Sequence, residues 1–304
     1  MNFTFDMTLK EIMEANPKTA EAMQSLGLHC LGCPFSVKEN LKNAAQMHGI
    51  DADKLLAAVN AVEQGEMSAE AKAKAQPAGA ILQMDKKTYA IAPHIPAGVA
   101  TPEILRKIAD VAEKYQAAAI KVTSAQRIAI VGLDPGDVPK AWDELGMDPG
   151  HAAGLCVRSI KVCPGNEFCK RGLQPTLKLG MELDKRYHGM ELPSKFKIAV
   201  AGCPNKCTDA ATVDLGLMGT SRGYHLFVGG NGGVKPRLAD LLWENLKAEE
   251  RLPAVQAVVE YYRQNARPQE RLGRLIDRVG LDGLKGRVRE AVAKAAVSLS
   301  ENPA

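Results

Sequence analysis

No run of about 18 apolar residues occurs in the sequence, which excludes a helix long enough to span a membrane. No G-x-G-x-x-G follows a strand and opens a helix, so the fingerprint of a nicotinamide or flavin dinucleotide site is missing. No internal repeat is visible. Charge of one sign is scarce: 39 Lys and Arg against 35 Asp and Glu leave a net charge of +4. That is too small and too dispersed for a nucleic-acid binder, yet it tolerates an acidic protein partner. The six histidines are scattered, and none has the i, i+4 spacing of a helical metal pair. The opening MNFTFDMTLKEIM lacks a basic-then-apolar pattern, so no secretory signal is expected and the expected location is the cytoplasm. In that compartment the seven cysteines are expected to stay reduced and to serve metal or redox chemistry.

The 304 residues exceed one ordinary domain and can bury a core without disulfides. Residues 1–65 read as a small all-helical domain. Thr8 and Glu11 form a capping-box pattern, Pro17 suits a first helical turn, Gly27 suits a helix stop, and Asp51 can cap a helix carrying Leu55, Leu56 and Val59. Residues 66–78, rich in Ala, Lys and Glu without an apolar face, read as a linker. Residues 79–148 alternate strands (88–92, 118–122, 128–131) with a helix from Pro102 and another over 138–145 closed by Gly146. That order resembles a ferredoxin-like half-domain. Residues 149–304 hold strands at 196–201, 213–218 and 223–228, followed by helices expected at 238–246, 254–264, 270–279 and 284–299. The expected class is α+β.

Two cysteine pairs carry the chemical signal. Cys163-Pro-Gly-Asn-Glu-Phe-Cys169 is followed, after 33 intervening residues, by Cys203-Pro-Asn-Lys-Cys207. A cubane iron–sulfur cluster needs four thiolates converging from different directions, and two short loops with rigid or small residues can supply them. Four buried thiols in a reduced core is the plain alternative, but paired cysteines in turn-like loops are poor core material. A structural zinc site is the sharper rival. Zinc usually takes two to four residues between paired ligands, and the five between Cys163 and Cys169 argue against it.

These residues, Cys-x5-Cys and then Gly-Cys-Pro-Asn-x-Cys, resemble the sirohaem-dependent sulfite and nitrite reductase family, and the similarity extends over residues 80–290. Ile95-Pro96-Ala97-Gly98, Thr101-Pro102 and Lys121 to Ile128 are similar to the family's ferredoxin-like half. The resemblance implies a sirohaem/4Fe–4S α+β domain in residues 149–304. It implies a cluster on Cys163, Cys169, Cys203 and Cys207, coupled to sirohaem through a shared thiolate, a role that falls on Cys207. Gly230, Asn231 and Gly232, followed by Lys235 and Arg237, resemble the family's cofactor-binding loop. Leu192 to Lys197 resembles its lysine segment, so Lys195 and Lys197 are the expected anion-binding residues, with Arg127 and Arg158 as the candidate arginines. Taken without the resemblance, each of these basic residues reads as a solvated surface charge, and the glycine-rich loop as a flexible turn.

The remaining cysteines are expected to stand apart. Cys30 and Cys33 have a CxxC spacing that suits a redox pair, half of a metal site or a helix–helix turn. Their segment resembles a small helical family of unknown function, also found fused to iron–sulfur repair proteins. Cys156 reads as a buried structural thiol and His29 as a structural histidine. The implied activity is six-electron reduction of sulfite to sulfide, or of nitrite to ammonia. The electrons come from an external donor such as a ferredoxin, and the site is expected to be completed in a homodimer. An iron–sulfur carrier or redox sensor without turnover is the alternative, and a zinc-stabilised binding module a third. The lysine segment looks like sulfite reductases and Gln126-Arg127-Ile128 looks like nitrite reductase large subunits, with the balance towards sulfite.

Overall fold

The computed structural model describes residues 3–26, 28, 39–47, 49–63, 77–148 and 150–301. Gly27, His29, Cys30, Cys33 and most of the expected linker lie outside the described residues. Two compact units are present, Met1–Pro77 and Ala78–Ala304. No helix among the described residues is long and apolar enough to cross a membrane.

The first unit is helical: α1 (Leu9–Ala15), α2 (Thr19–Ser25), α3 (Leu41–Met47) and α4 (Ala52–Glu63). The capping box forms, with Glu11 N donating to Thr8 Oγ1 at 3.2 Å and Thr8 N donating to Glu11 Oε2 at 2.8 Å. Such a cap is worth about 1 kcal/mol to a short helix. Asp51 Oδ1 accepts from the amides of Asp53 and Lys54 at the start of α4. Leu9, Ile12, Met23, Leu41, Leu55 and Val59 meet in this unit's core.

The second unit opens with a four-stranded antiparallel sheet, β1 (Ala80–Leu82), β2 (Tyr89–Ile91), β3 (Ala119–Val122) and β4 (Ile128–Leu133), in the order β1-β2-β4-β3. Helices α5 (Pro102–Lys114) and α6 (Val138–Leu145) pack against it. Thr101 caps α5 by accepting from Ile104 N, Pro102 stands in its first turn, and the left-handed Gly146 ends α6. Ile108, Val111, Ile130, Leu133, Ala141 and Leu145 form the core of this ferredoxin-like half.

A five-stranded sheet follows, built from β5 (Lys161–Val162), β6 (Ile198–Ala201), β7 (Leu215–Thr220), β8 (Gly223–Val228) and β9 (Asp240–Leu246), in that spatial order. β5, β6 and β7 run parallel, and β7, β8 and β9 antiparallel. Helices α7 (Gly165–Phe168), α8 (Leu177–Tyr187), α9 (Arg251–Asn265), α10 (Leu272–Val279) and α11 (Asp282–Glu301) complete the unit. Its core joins Phe196, Leu217, Leu226, Val258 and Leu275.

One expected helix is a strand. Leu238, Leu241, Leu242 and Leu246 have helical spacing, yet Asp240–Leu246 pairs with β8 as β9. Leu242 and Leu246 are buried, while Leu238 is 74% exposed and Leu241 42% exposed, so no helical stripe faces inward. Covering the open edge of β8 outweighs local spacing.

Candidate active site

The cysteine loops follow two adjacent parallel strands. Cys163 comes directly after β5, and Cys203 follows β6 by one residue, Gly202. Cys163 N donates to Val200 O at 3.2 Å, and Gly202 N donates to Cys163 Sγ at 3.1 Å. The backbone around Cys169 folds onto the second loop, with Leu173 N and Gln174 N both donating to Gly202 O, at 2.8 and 3.1 Å. This approach requires glycine twice. A Cβ on Gly202 would lie 3.0 Å from Gly165 Cα and from Gln174 O, and Gly165, at φ +60°, would drive a Cβ to 2.4 Å from Thr176 Oγ1. All four thiols are free; three are half-buried and Cys207 is exposed. Free thiols on two interlocked loops, one already accepting an N–H···S bond, match the donor set of an iron–sulfur cluster, because soft sulfur selects iron and amide donors tune the thiolate. Cys156 is buried, with its Sγ donating to Ala153 O.

Beside the second loop lies a cavity of about 190 Å³. The turn carrying Cys207 runs on into its wall through Asp209, Thr212 and Val213, and Gly232 closes one side. Arg158, Lys161 and Lys197 bring positive charge to it. They come together because Val157 bridges Phe196 in parallel and Arg158 N donates to Phe196 O at 2.9 Å. Lys161 pairs with Asp209. Lys197 is anchored by its amide, which donates to Asp214 at 2.8 Å, and its pKa is lowered by burial and then by the nearby charges of Arg271 and Lys195. Arg158 donates to Ala152 O and Gly154 O, but its Nε is buried without a partner.

The opposite wall comes from the ferredoxin-like half. Gln126, at φ +59°, pairs with the backbone of Val162 in both directions: its Nε2 donates to Val162 O at 2.7 Å and its Oε1 accepts from Val162 N at 2.8 Å. This clasp sets Ser124 and Ala125 over the cavity.

A second, wider cavity of about 760 Å³ adjoins the same glycine-rich loop, with Asn231 and Gly233 in its lining. Lys195, Lys235, Arg237, Arg271 and Arg274 line it, so Lys195 and Lys197 face different cavities. Asn231 and Arg237 bridge each other across the loop, and Arg237 is pinned by Asp240 and Asp277. Arg271 holds the fully buried Asp214 through two bonds of 2.8 and 2.6 Å. A basic wall on the glycine-rich loop fits the carboxylates of a polyanionic tetrapyrrole.

Arg127 is not part of either wall. It is 2% exposed, and its guanidinium is occupied by Ser159 Oγ (2.5 Å), Ala92 O (2.7 Å), Gly150 O (2.8 Å) and His188 Nε2 (2.9 Å). Burial brings its pKa down to about 10, so it remains cationic at neutral pH. Its place is beneath the cavity floor, holding Ser159, rather than in front of an anion.

Two family descriptions cover most of the second unit: a nitrite/sulfite reductase ferredoxin-like half domain over residues 81–147, and a nitrite and sulphite reductase 4Fe-4S domain over residues 153–295. An assimilatory-type sulfite reductase of Nitratidesulfovibrio vulgaris is 40% identical over 210 residues, covering 69% of this chain and 96% of that protein. The chain belongs to the nitrite and sulfite reductase family. An NAD(P)H nitrite reductase of Bacillus subtilis is 41% identical over 194 residues, 64% of this chain but only 24% of that larger protein. Among solved structures, dissimilatory sulfite reductase I shares the fold with a TM-score of 0.61 at 15% identity, covering 92% of this chain and 86% of that one. The Mycobacterium tuberculosis NirA protein does so with a TM-score of 0.59 at 20% identity, covering 68% of this chain and 40% of that one. Residues 3–56 match a domain of unknown function.

Set within this family, the fold places Arg158, Lys197 and Gly232 on one cavity, and Lys195, Asn231, Lys235 and Arg237 on the other. Gly230 lies in the loop between them. Lys161, Ser159, Gln126 and Arg271 had no expectation from sequence. Lys161, the first residue of β5, alternates with Ser159 and could have been read from that alternation; Arg271 sits at the mouth of an amphipathic helix and carries no such signal.

His188 lies behind the site, and burial, then the neighbouring charge of His94, lowers its pKa from 6.5 to about 4. The unfolded chain therefore binds this proton at a higher pH than the folded chain does. The contribution of His188 is complete above 6.5 and is lost as the pH falls towards 4. Thermal unfolding is expected to show Tm falling across that window, and His188→Gln is expected to flatten the fall. A Tm difference between the two proteins that does not change with pH would contradict this.

Proposed function

We propose that this chain reduces sulfite to sulfide, with nitrite as the alternative anion, using a 4Fe–4S cluster on Cys163, Cys169, Cys203 and Cys207 and a sirohaem beside Cys207. The observation that carries the reading is the cavity of about 190 Å³. It joins Arg158, Lys161 and Lys197 to the turn of Cys207. When bound, the two groups supply single electrons and the iron at which the anion is reduced. The chain's own residues do the rest. Lys197 and Arg158 hold the anion and offset charge that grows as oxygen leaves. Lys195 and Lys235, with Gly230, Asn231 and Gly232, receive the carboxylates of the tetrapyrrole. Arg237 shapes that loop while its own charge is taken up by Asp240 and Asp277.

Electrons come from an external carrier, since no dinucleotide fingerprint is present. The modest positive charge suits an acidic partner such as a ferredoxin. One chain carries both the basic residues and the cysteines, and either a homodimer that exchanges them between copies or a self-sufficient monomer can form the working site; mixing Lys197→Met with Cys203→Ser chains restores activity only in the dimer. Sulfite is favoured because the chain covers nearly the whole of a sulfite reductase and about a quarter of the nitrite reductase. The purified, cofactor-loaded protein is to be compared with both anions and a reduced dye donor. A higher kcat/KM for sulfite supports the assignment, and a higher value for nitrite reverses it.

A further inference from the structure

The cations that hold an anion are poor sources of the protons its reduction consumes. Sulfite, six electrons and seven protons give hydrosulfide and three waters. A proton taken from Lys197 or Lys161 removes the charge that keeps the anion in place. A separate source is built beneath the cavity floor. Ser159, 6% exposed, lines the cavity, and behind its hydroxyl stands His94, with Nδ1 3.3 Å from Ser159 Oγ. On the far side of the ring, His94 Nε2 lies 2.7 Å from Asp184 Oδ2. His94 and Asp184 are both buried, and the other carboxylate oxygen, Asp184 Oδ1, has no hydrogen-bond partner.

We propose that Asp184, His94 and Ser159 form a proton relay that opens into the anion cavity, with Ser159 the group that touches the reacting anion and His94 and Asp184 positioning and charging it. The proposal rests on the reading of that cavity as the substrate site. In the charged state both ring nitrogens of His94 carry protons: Nε2–H donates to Asp184, and Nδ1–H donates to Ser159 Oγ. Transfer breaks the hydroxyl's own O–H bond as its proton passes to an oxygen of the bound anion, where a new O–H bond forms. The Nδ1–H bond breaks and a new Oγ–H bond replaces it. His94 is left neutral, still donating from Nε2, and is recharged from water through the same hydroxyl. No electron moves in this step; a second turn of the relay brings the second proton, and with two electrons from the external donor that oxygen leaves as water.

The surroundings fit a relay better than a metal site. Ligand atoms of His94, Asp184 and His188 lie within 4.8 Å of one another, a spacing that could also hold an ion. However, Arg127 Nη2 lies 2.9 Å from His188 Nε2 and occupies that nitrogen, putting a guanidinium where a cation would stand. Arg127 Nε also donates to Ser159 Oγ at 2.5 Å, which leaves the serine proton two directions, His94 or the cavity. The His188 ring stacks on His94 with centroids 3.5 Å apart and planes 8° apart. Its pKa near 4 keeps it neutral, so a charged His94 does not face a second imidazolium. The other charged or titratable neighbours are Asp148, whose Oδ2 is 3.9 Å from His188 Nδ1, His151, whose ring meets His188 edge-on with centroids 5.4 Å apart, and Arg158 and Cys156 on the segment before β5. Asp184 is the carboxylate in direct contact with His94.

Ser159→Ala, Ser159→Thr and His94→Asn in the cofactor-loaded protein test this. Sirohaem and iron content and sulfite affinity, read from the shift of the visible spectrum, are expected to be unchanged in all three. The kcat of Ser159→Ala is expected to fall about 100-fold with KM unchanged, the usual scale of acid–base assistance, and Thr to restore most of it. His94→Asn should lose one ionisation from the pH profile, and combining it with Ser159→Ala should cost no more than either alone. A pH indicator in weak buffer supplies a readout apart from turnover. On reduction of the sulfite-bound protein, proton uptake should keep pace with the absorbance change in the wild type and trail it in Ser159→Ala. A kcat within about twofold of wild type, additive losses, or a loss that follows lost sirohaem would overturn the relay. If Lys197→Met abolishes sulfite binding while Ser159→Ala is silent, the relay fails and the cavity assignment stands. If neither variant changes anything, the cavity assignment itself has failed.

Discussion

Cys203→Ser is expected to remove the iron–sulfur cluster and with it all anion turnover above background. The thiolate is a soft ligand, and a serine hydroxyl is both harder and protonated at neutral pH, so one corner of the donor set disappears. The loss is amplified by the way the loops interlock. Gly202, the residue before Cys203, receives two amides from the Cys169 loop and gives its own N–H to Cys163 Sγ. A cluster missing its Cys203 ligand therefore loses the centre of the assembly rather than its edge. Iron and acid-labile sulfide analysis is the readout. Cys156→Ala, whose thiol is engaged with Ala153 O, and Cys30→Ser are expected to keep full iron content. Full iron and sulfide in Cys203→Ser would remove that residue from the ligand set.

Lys197→Met carries the second large effect. The side chain keeps its length and apolar stem but loses the charge. That charge lines a cavity it shares with Arg158 and Lys161, where clustered cations act together on one anion. Asp214 fixes the Lys197 backbone and is itself held by Arg271, so the point from which the side chain reaches the cavity is set before the anion arrives. The expected loss in kcat/KM for sulfite is about 100-fold or more, roughly 3 kcal/mol of transition-state stabilisation, with both cofactors retained. Lys195→Met differs because Lys195 lines the wider cavity: its main effect is expected on sirohaem retention. Equal kinetics for Lys197→Met and wild type would return Lys197 to the status of a surface charge.

Much of this was legible in the sequence, for identifiable reasons. The cysteine spacing announced two loops, and the sheet places them on neighbouring parallel strands. The capping box at Thr8 and the glycine stop at Gly146 appear where the sequence puts them, because both rest on local chemistry. What failed depends on distant partners. Asp240–Leu246 has helical leucine spacing but is recruited by β8. Leu177–Tyr187 is a helix that its central Gly180 disguises; a Cβ there would meet Val162 Cγ2 at 2.4 Å, so the glycine serves packing against β5. Arg127 was expected at the anion because of its motif. The motif's contribution to the cavity is instead Ser124 and Ala125, positioned by the Gln126 clasp, while Arg127 turns inward to Ser159 and His188. Periodicity cannot tell which of four adjacent residues faces a cavity when the turn holding them has a left-handed residue at Gln126.

The central claim is that one chain holds a cluster, a sirohaem and an anion in a single working site. The most direct measurement is electron stoichiometry on purified protein whose visible spectrum and iron content have been recorded. A limiting amount of sulfite is added to the protein with excess reduced dye, and dye oxidised is compared with sulfide formed. The account predicts a sirohaem spectrum, four irons per cluster and six electrons per sulfide. Broad cluster absorbance without sirohaem, and dye that stays reduced with sulfite and with nitrite alike, would contradict it and leave an electron carrier or sensor.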